Sequence, residues 1–316
     1  SRVSIVIPTY NRCSLLRRAV QSCLQGRKST DVAVIVVDDG STDDTRNYLS
    51  SLSDARIRPI FQEHEGAQKA RNRGLGCADG EYIKFLDDDD ELCPTSLEEE
   101  IKHLQEADAS VCCGDFNIRT PIAKTSRLHR QQPSPDLISG IFLDVVWGNP
   151  LSFLYRREAI EDVRWDPEIP YFQDTAFVLE VLSRGPRTVT RTEPVGIYHR
   201  HGDKSITNTV RSKSTLAEQH VHRSELTMHG LKRLQEHGEL QEYHRQAAAT
   251  GLWRWAHIVS AFDLEAFHVI YDRLEQIDVS FTPDRSRAFL ALADRILGPY
   301  MTEHLTYPFR RLKHAR

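Results

Sequence analysis

The sequence predicts an α/β fold: a mostly parallel central sheet flanked by helices, followed by an all-helical C-terminal subdomain. Three observations carry this. Apolar, β-branched runs alternate with segments of helical periodicity through the first half. Three of those runs end abruptly in polar clusters. Strand signals stop near residue 209, and four helical patterns follow.

Taken in order, Val3–Ile7 reads as an apolar strand closed by Pro8-Thr9-Tyr10-Asn11. Leu15, Leu16, Ala19, Val20, Cys23 and Leu24 then recur at helical spacing, with Gly26 as the stop. Val32–Val37 is almost continuously β-branched, as a strand buried on both faces should be. It ends in Asp38-Asp39-Gly40, and Ser41 with Asp44 three residues on reads as a capping box for the next helix. Ile57–Phe61 is a shorter strand, Ala67–Ala78 a helix, and Tyr82–Leu86 a strand. Pro94 suits a first helical turn, with Leu97, Ile101 and Leu104 as the buried stripe, and Val111–Gly114 is one more strand. Such alternation implies right-handed crossovers and parallel pairing. In open α/β sheets ligands bind beyond the carboxyl ends of the strands, so Pro8–Asn11, Asp38–Ser41 and Asp87–Glu91 should share one rim. The later helical patterns fall at 214–236, 239–262, 264–275 and 284–298, which divides the chain into domains 1–208 and 209–316.

Composition narrows the function classes. With 316 residues, 40% of them hydrophobic, the chain can bury a real core. A net charge of −4 gives no basic field for nucleic acid. No run approaches the ~18 apolar residues of a membrane span, and no signal-peptide pattern opens the sequence. The first residue is Ser, which suggests a trimmed start. Six cysteines, all within the first 113 residues and without a C-x-x-C pair, fit reduced thiols in a cytoplasmic protein. The final LTYPFRRLKHAR carries four fixed positive charges and no acid. It fits a peripheral contact with an anionic membrane surface, against the rival readings of a solvated tail or a subunit contact in a homo-oligomer.

The stretch EYIKFLDDDDEL at 81–92 places four aspartates and a glutamate at the end of a hydrophobic strand. Each carboxylate makes ionisation of the next harder, so something must offset the repulsion. A solvated acidic loop is the ordinary reading of a charge run, but this run abuts a buried strand end on the ligand rim. A calcium loop fails: Asp87, Asp89, Glu91 and Glu98 hold positions one, three, five and twelve, but Leu92 stands where the sharp turn needs Gly. A dinucleotide fold fails as well, because Gly74-x-Gly76 precedes a strand instead of following one. A hard divalent cation that also grips a nucleoside diphosphate satisfies the acids, since such ions are held by carboxylates together with substrate phosphates.

VSIVIPTYNR at 3–12, VIVVDDGSTDDT at 34–45 and ARNRGLGCADGEYIKFLDDDDEL at 70–92 together resemble the family 2 inverting glycosyltransferases, which have a GT-A fold and use nucleotide-activated sugars. The resemblance covers roughly residues 1–208. It implies that Pro8, Thr9, Tyr10 and Asn11 form the first nucleotide loop, with Tyr10 near the base. It implies that Asp38 accepts a hydrogen bond from a uracil N–H, which favours a UDP-sugar donor, and that Asp39 supports the loop. Asp87-x-Asp89 matches the family's D-x-D, with Asp89 as direct ligand of Mn2+ or Mg2+ and Asp88 nearer the ribose. Arg71, with Lys69 beside it, is expected at the diphosphate or donor sugar; a surface ion pair is the rival reading of Arg71.

The resemblance further implies that Asp174, opening a helix over Phe177–Leu182, is the general base. The family's Glu-Asp pair is Gln173-Asp174 here, a departure at the first position, and an ordinary N-cap is the rival reading. After a strand at Val195–Tyr198 comes HRHGDKSIT at 199–207, where His201 is the candidate second metal ligand or diphosphate contact, His199 its rival, and Lys204 a phosphate contact. Trp147-Gly148-Asn149 reads either as an acceptor-sugar platform or as core, and Trp253 and Trp255 as core. The implied activity is metal-dependent inverting transfer from a UDP-sugar to a glycan, glycolipid or polymer acceptor. The alternatives are a nucleotidylyltransferase, for which PTYNR is a poor phosphate loop, and a nucleotide-sugar-binding assembly subunit without turnover.

Overall fold

The computed structural model describes residues 2–25, 31–120, 126–132, 134–200, 212–284 and 288–314. They fall into two compact units, one of Ser1–Gln131 with Trp147–Ser205, the other of Gln132–Val146 with Ile206–Arg316.

The first unit is built on β1 (Arg2–Thr9), β2 (Asp31–Asp38), β3 (Ile57–Phe61), β4 (Tyr82–Phe85), β5 (Glu91–Leu92), β6 (Val111–Gly114), β7 (Phe116–Arg119), β8 (Arg127–His129), β9 (Phe153–Arg156), β10 (Thr188–Arg191) and β11 (Gly196–His199). Seven strands form the main sheet in the order β10-β6-β9-β4-β1-β2-β3; the other four form a second sheet, β5-β11-β7-β8. The main sheet is parallel except at β9, which runs antiparallel to both β4 and β6. Of these strands β5, β7, β8, β9 and β10 are absent from the sequence expectation, while β11 falls on the strand expected at Val195–Tyr198. The unforeseen strands are two to four residues long, and a run that short carries no period to read.

Helices α1 (Cys13–Leu24), α2 (Thr45–Ser51), α3 (Ala67–Cys77), α4 (Ser96–Glu106) and, after a fifth helix in the other unit, α6 (Gln173–Leu182) complete this unit. β1 and β2 are buried along nearly their whole length, and the stripe Leu16, Ala19, Val20 and Cys23 of α1 joins their core cluster. Such β-branched strands and apolar helix faces fold together because each covers what the other exposes. The expected capping box at Ser41 does not form. Asp44 is the N-cap of α2 without a side-chain cap bond, and Ser41 Oγ instead accepts from the Asn11 N–H at 2.9 Å.

The second unit contains α5 (Leu137–Phe142), α7 (Lys213–Glu236), α8 (Glu242–Val259), α9 (Leu264–Ile277) and α10 (Ala288–His314). Trp253 and Trp255 are core residues here, as expected. α5 is joined to the later helices by ion pairs: His244 Nε2 lies 2.7 Å from Asp136 Oδ2, and Arg223 pairs with Asp144 while packing over Trp255. Gly251 lets α8 pass the backbone of Phe142, since a Cβ there would collide with the Phe142 carbonyl.

Candidate active site

The strand register brings the three polar clusters to one rim. Thr9 pairs with Asp38 across β1 and β2, Asp38 with Phe61 across β2 and β3, and Val6 with Phe85 across β1 and β4. The ladder runs on past the strand ends, with Asp39 N–H donating to Thr9 O (2.9 Å) and Leu86 N–H to Val6 O (3.0 Å).

Side chains then cross-link the loops. Asn11 takes the left-handed conformation (φ 54°), which Asn tolerates better than most residues, and its Oδ1 accepts from the N–H groups of Thr42 (2.7 Å) and Asp43 (3.2 Å). Asp39 organises a third loop: its carboxylate accepts from Gln62 Nε2 (2.6 Å) and from the N–H groups of Glu65 and Gly66 (both 2.9 Å). That holds His64 against Tyr10, with ring centroids 4.0 Å apart and planes nearly parallel. Gly40 is required here, with φ +79° and a Cβ position only 2.8 Å from the backbone of His64. Asp38 lies under this frame, fully buried. Its Oδ1 accepts from Ser41 N–H (3.0 Å), whereas Oδ2 has no hydrogen-bond partner among the described residues and Arg46 stands off at 3.8 Å. A buried carboxylate oxygen without a donor is costly, and this atom has the capacity to accept one N–H.

Arginines offset the repulsion in the acid run. Asp88 is buried; Thr9 Oγ1 donates to it at 2.7 Å, and Arg12 Nη1 lies between Asp88 (3.1 Å) and Asp89 (3.0 Å). Arg18 donates to the Asp89 carbonyl (2.8 Å) and pairs with Glu91 (3.0 Å). Burial pushes the Asp88 carboxyl up to about 6 despite Arg12 and Thr9. Asp90, also buried, accepts from His199 N–H (2.9 Å); burial and its neighbours Asp87 and Asp89 push it well above the usual carboxylate range. Asp87, Asp89 and Asp90 present carboxylate oxygens that all lie within 4.8 Å of one another. This all-oxygen set fits a hard divalent cation, with Asp88 outside it and turned to Thr9 and Arg12.

Arg71 joins this cluster to Asp174. Its guanidinium, buried from solvent and lying over Trp165 at 4.4 Å, donates to Asp87 Oδ1 at 2.6 Å and reaches Asp174 Oδ1 at 3.8 Å. Arg71 is therefore not the surface ion pair weighed as its rival reading. Asp174 sits in the first turn of α6, just after Phe172, whose φ of 55° is a strained choice for a bulky side chain. Gly148 packs against that turn so closely that a Cβ would stand 2.8 Å from Thr175 Cα. Asp174 lies in a recess: solvent reaches about 36% of its side chain, but protein walls the carboxyl on the remaining sides. That desolvation raises it to about 7, with Arg71 opposing the rise and Asp87 adding to it.

The remaining expected residues are placed as follows. Lys69 is exposed and pairs with Glu65 at 3.1 Å. His199 Nε2 lies 2.6 Å from Glu91 Oε1. His201 and Lys204 lie outside the described residues. Trp147 is half-buried against Phe116, His129 and Tyr198, while Asn149 caps the following turn by accepting from Ser152 N–H at 2.9 Å. Sequence reasoning missed Arg12, Arg18, Asp90, His64 and Trp165. For Arg12 and Arg18 a signal existed, because five crowded acids demand counter-charge and NRCSLLRR follows the first loop.

An open α/β sheet with nucleotide-type loops, an acid cluster and a recessed carboxyl on one rim defines a GT-A protein. The family model described as Glycosyl transferase family 2 matches residues 4–176, and the chain belongs to that family. It is 34% identical over 174 residues to an uncharacterized glycosyltransferase of Nostoc sp., a match covering 51% of this chain and 53% of that relative. It is 39% identical over 100 residues to GalNAc(5)-diNAcBac-PP-undecaprenol beta-1,3-glucosyltransferase of Campylobacter jejuni, covering 30% of this chain and 32% of the relative. The matched stretches thus span about half, or less, of these relatives. Among solved structures, S. aureus TarS 1-349 in complex with UDP-GlcNAc aligns with a TM-score of 0.61 at 17% identity, over 89% of this chain and 91% of that 1-349 chain. The mannosyltransferase PcManGT of Pyrobaculum calidifontis, in complex with GDP-Man and Mn2+, aligns with a TM-score of 0.53 at 16% identity, over 96% of this chain and 86% of that one. At such identities the two structures speak for the fold. The relatives and neighbours named here are glycosyltransferases.

Proposed function

We propose that this protein is a cytoplasmic, metal-dependent, inverting glycosyltransferase that moves a sugar from a UDP-sugar to a hydroxyl of a glycan, glycolipid or cell-surface polymer. The observation that carries the reading is the Arg71 bridge, one guanidinium between Asp87 of the acid run and Asp174 of α6, 87 residues apart in sequence. It sets a recessed carboxylate beside the acids suited to a diphosphate-bound cation.

In this reading Pro8, Thr9, Tyr10 and Asn11 line the nucleoside, and the exposed Tyr10, backed by His64, offers its ring to the base. Asp38 Oδ2 accepts the uracil N3–H, which gives the buried oxygen its missing donor. Asp88, held by Thr9, faces the ribose, and Asp87, Asp89 and Asp90 would hold Mn2+ or Mg2+. A cation bound there would supply neutralisation of charge on the departing diphosphate. Asp174 takes the proton from the acceptor hydroxyl while that oxygen attacks the anomeric carbon on the face opposite the diphosphate. The carbon–oxygen bond to UDP breaks in the same displacement, which inverts the centre. A base near 7 is matched to neutral pH: enough is ionised to act, and it still holds a proton well. Arg71 keeps the anion from being lost to burial altogether.

Thermal-shift titration with UDP-, GDP- and dTDP-sugars, with Mn2+ or with chelator, tests the donor. The expected result is a UDP-selective shift that chelator abolishes. Asp174→Asn should keep that shift and lose transfer; transfer at the wild-type rate would remove Asp174 from the chemistry. A preference for GDP-sugars would overturn the role of Asp38.

A further inference from the structure

We infer that α10 docks on an anionic lipid bilayer, lying in the plane of its interface with an apolar stripe turned to the lipid. Among the described residues ten large apolar side chains are exposed, and six of them belong to this one helix: Phe289, Leu292, Ile296, Leu297, Met301 and Leu305. Phe289, Leu292 and Ile296 follow i, i+3, i+7 spacing, which puts them on one stripe, and Phe289 and Ile296 are 75% and 70% exposed. Gly298 (φ +81°) and Pro299 break the helix, and beyond the break Met301 and Leu305, spaced i, i+4, are exposed as a second apolar pair. A patch of this kind on an otherwise polar surface marks an interaction site.

Charge identifies the occupant. Residues 285–316 carry seven Lys or Arg (Arg285, Arg287, Arg295, Arg310, Arg311, Lys313 and Arg316) against two acids, Asp294 and Glu303, a net +5. The whole chain is −4, so residues 1–284 carry −9. Both acids of the segment are buried, Glu303 being spent on Ser260 Oγ (2.7 Å) and His257 Nδ1 (2.9 Å). Among the described side chains of α10 both acids are buried and Arg295 is exposed, so the fixed charge they offer to solvent is of one sign. Two such segments face to face would repel, which disfavours a second copy. A bilayer with anionic headgroups takes both the apolar stripe and the positive charge. No helix among the described residues is long and apolar enough to cross a membrane, so the contact is interfacial. The inference stands on α10 alone and does not depend on the donor sugar.

Co-sedimentation of the full chain with vesicles tests it, comparing phosphatidylcholine alone with phosphatidylcholine containing one third phosphatidylglycerol. The expected result is binding to the anionic vesicles only, weakened by salt. The pair Phe289→Ser with Ile296→Ser, both at highly exposed sites, should lower the bound fraction at least tenfold while thermal unfolding stays unchanged. Arg310→Glu with Arg311→Glu should do the same. Equal sedimentation with and without phosphatidylglycerol, or binding indifferent to both double variants, overturns the inference. So does a dimer in light scattering that the serine pair dissolves while vesicles bind nothing, since the stripe would then serve self-association.

Discussion

Replacing Arg71 by Met should move the acidic limb of the pH–rate profile toward alkaline pH by about one unit. Arg71 Nη2 lies 3.8 Å from Asp174 Oδ1. Unit charges about 4 Å apart interact by ~1 kcal/mol in water and ~4 kcal/mol at an effective dielectric near 20. The Asp174 side chain is 36% exposed, so solvent screening favours the lower end, about 1–2 kcal/mol. Since about 1.4 kcal/mol is one pKa unit, the carboxyl should rise from about 7 to about 8. Asp87 loses its 2.6 Å partner in the same variant, and its unbalanced charge pushes Asp174 the same way.

The assay is kcat/KM for transfer across the neutral range, because that ratio follows the ionisation of the free enzyme. For a base the active form is the deprotonated one, so activity climbs with pH and levels off above the pKa. At pH 7 the variant should keep roughly a fifth of the wild-type ionised fraction by the one-unit shift, and recover part of the deficit at higher pH. Arg71→Lys retains a charge in place and should leave the limb within a few tenths of a unit. A limb that does not move in Arg71→Met would refute the electrostatic coupling of these two residues. A limb that moves equally in the Lys variant would assign the effect to shape and to the lost packing on Trp165.

Asp38→Asn keeps an oxygen for Ser41 N–H but replaces the buried anion, and should weaken UDP by ~1.5–3 kcal/mol, roughly tenfold to a hundredfold in a calorimetric titration. Unchanged affinity would place the base elsewhere. Arg12→Gln removes the positive charge now 3.0 Å from an Asp89 oxygen, so Mn2+ should bind the nucleotide-free protein several-fold more tightly by spin resonance; weaker binding would contradict the competition between guanidinium and cation. Asp88→Asn bears on stability. The folded carboxyl is raised to about 6, so the stability it contributes is fully present below its unfolded value near 3.8 and is lost as pH rises through about 6. The amide variant should unfold at a higher temperature than wild type at pH 8, by an amount worth ~1–2 kcal/mol, with the gap closing toward pH 4; a gap independent of pH would refute the assignment.

How much of this could be read from the sequence depended on how locally each feature is encoded. The loops ending β1 and β2 and the acid run after β4 are contiguous strings at strand ends, and a parallel register brings such ends together whatever else the chain does. Asp38, Asp39 and the acids Asp87, Asp88 and Asp89 were legible for that reason. The need for counter-charge was legible too, but not which arginine meets which acid, because Arg12 and Arg18 approach from 71 to 77 residues away and nothing in their spacing names their partners. The second sheet was hidden for a related reason: β5 pairs with β11 more than a hundred residues later, through two residues.

The same limit applies to the segment Gln132–Val146, which belongs to the helical unit although it lies between strands of the other. Two acids hold it there. Asp136 caps α5 through Ser139 N–H (2.8 Å) and pairs with His244, and Asp144 pairs with Arg223. Neither acid differs in sequence context from a solvated loop carboxylate, so their meaning appears only when the fold supplies the partner. The five-acid run is the opposite case. There the repulsion is itself legible, because adjacent carboxylates at the end of a buried strand must be offset by cations or relieved by protonation. The sequence therefore poses a demand that the fold must meet, and it meets that demand with arginine side chains around three carboxylates still close enough to share an ion.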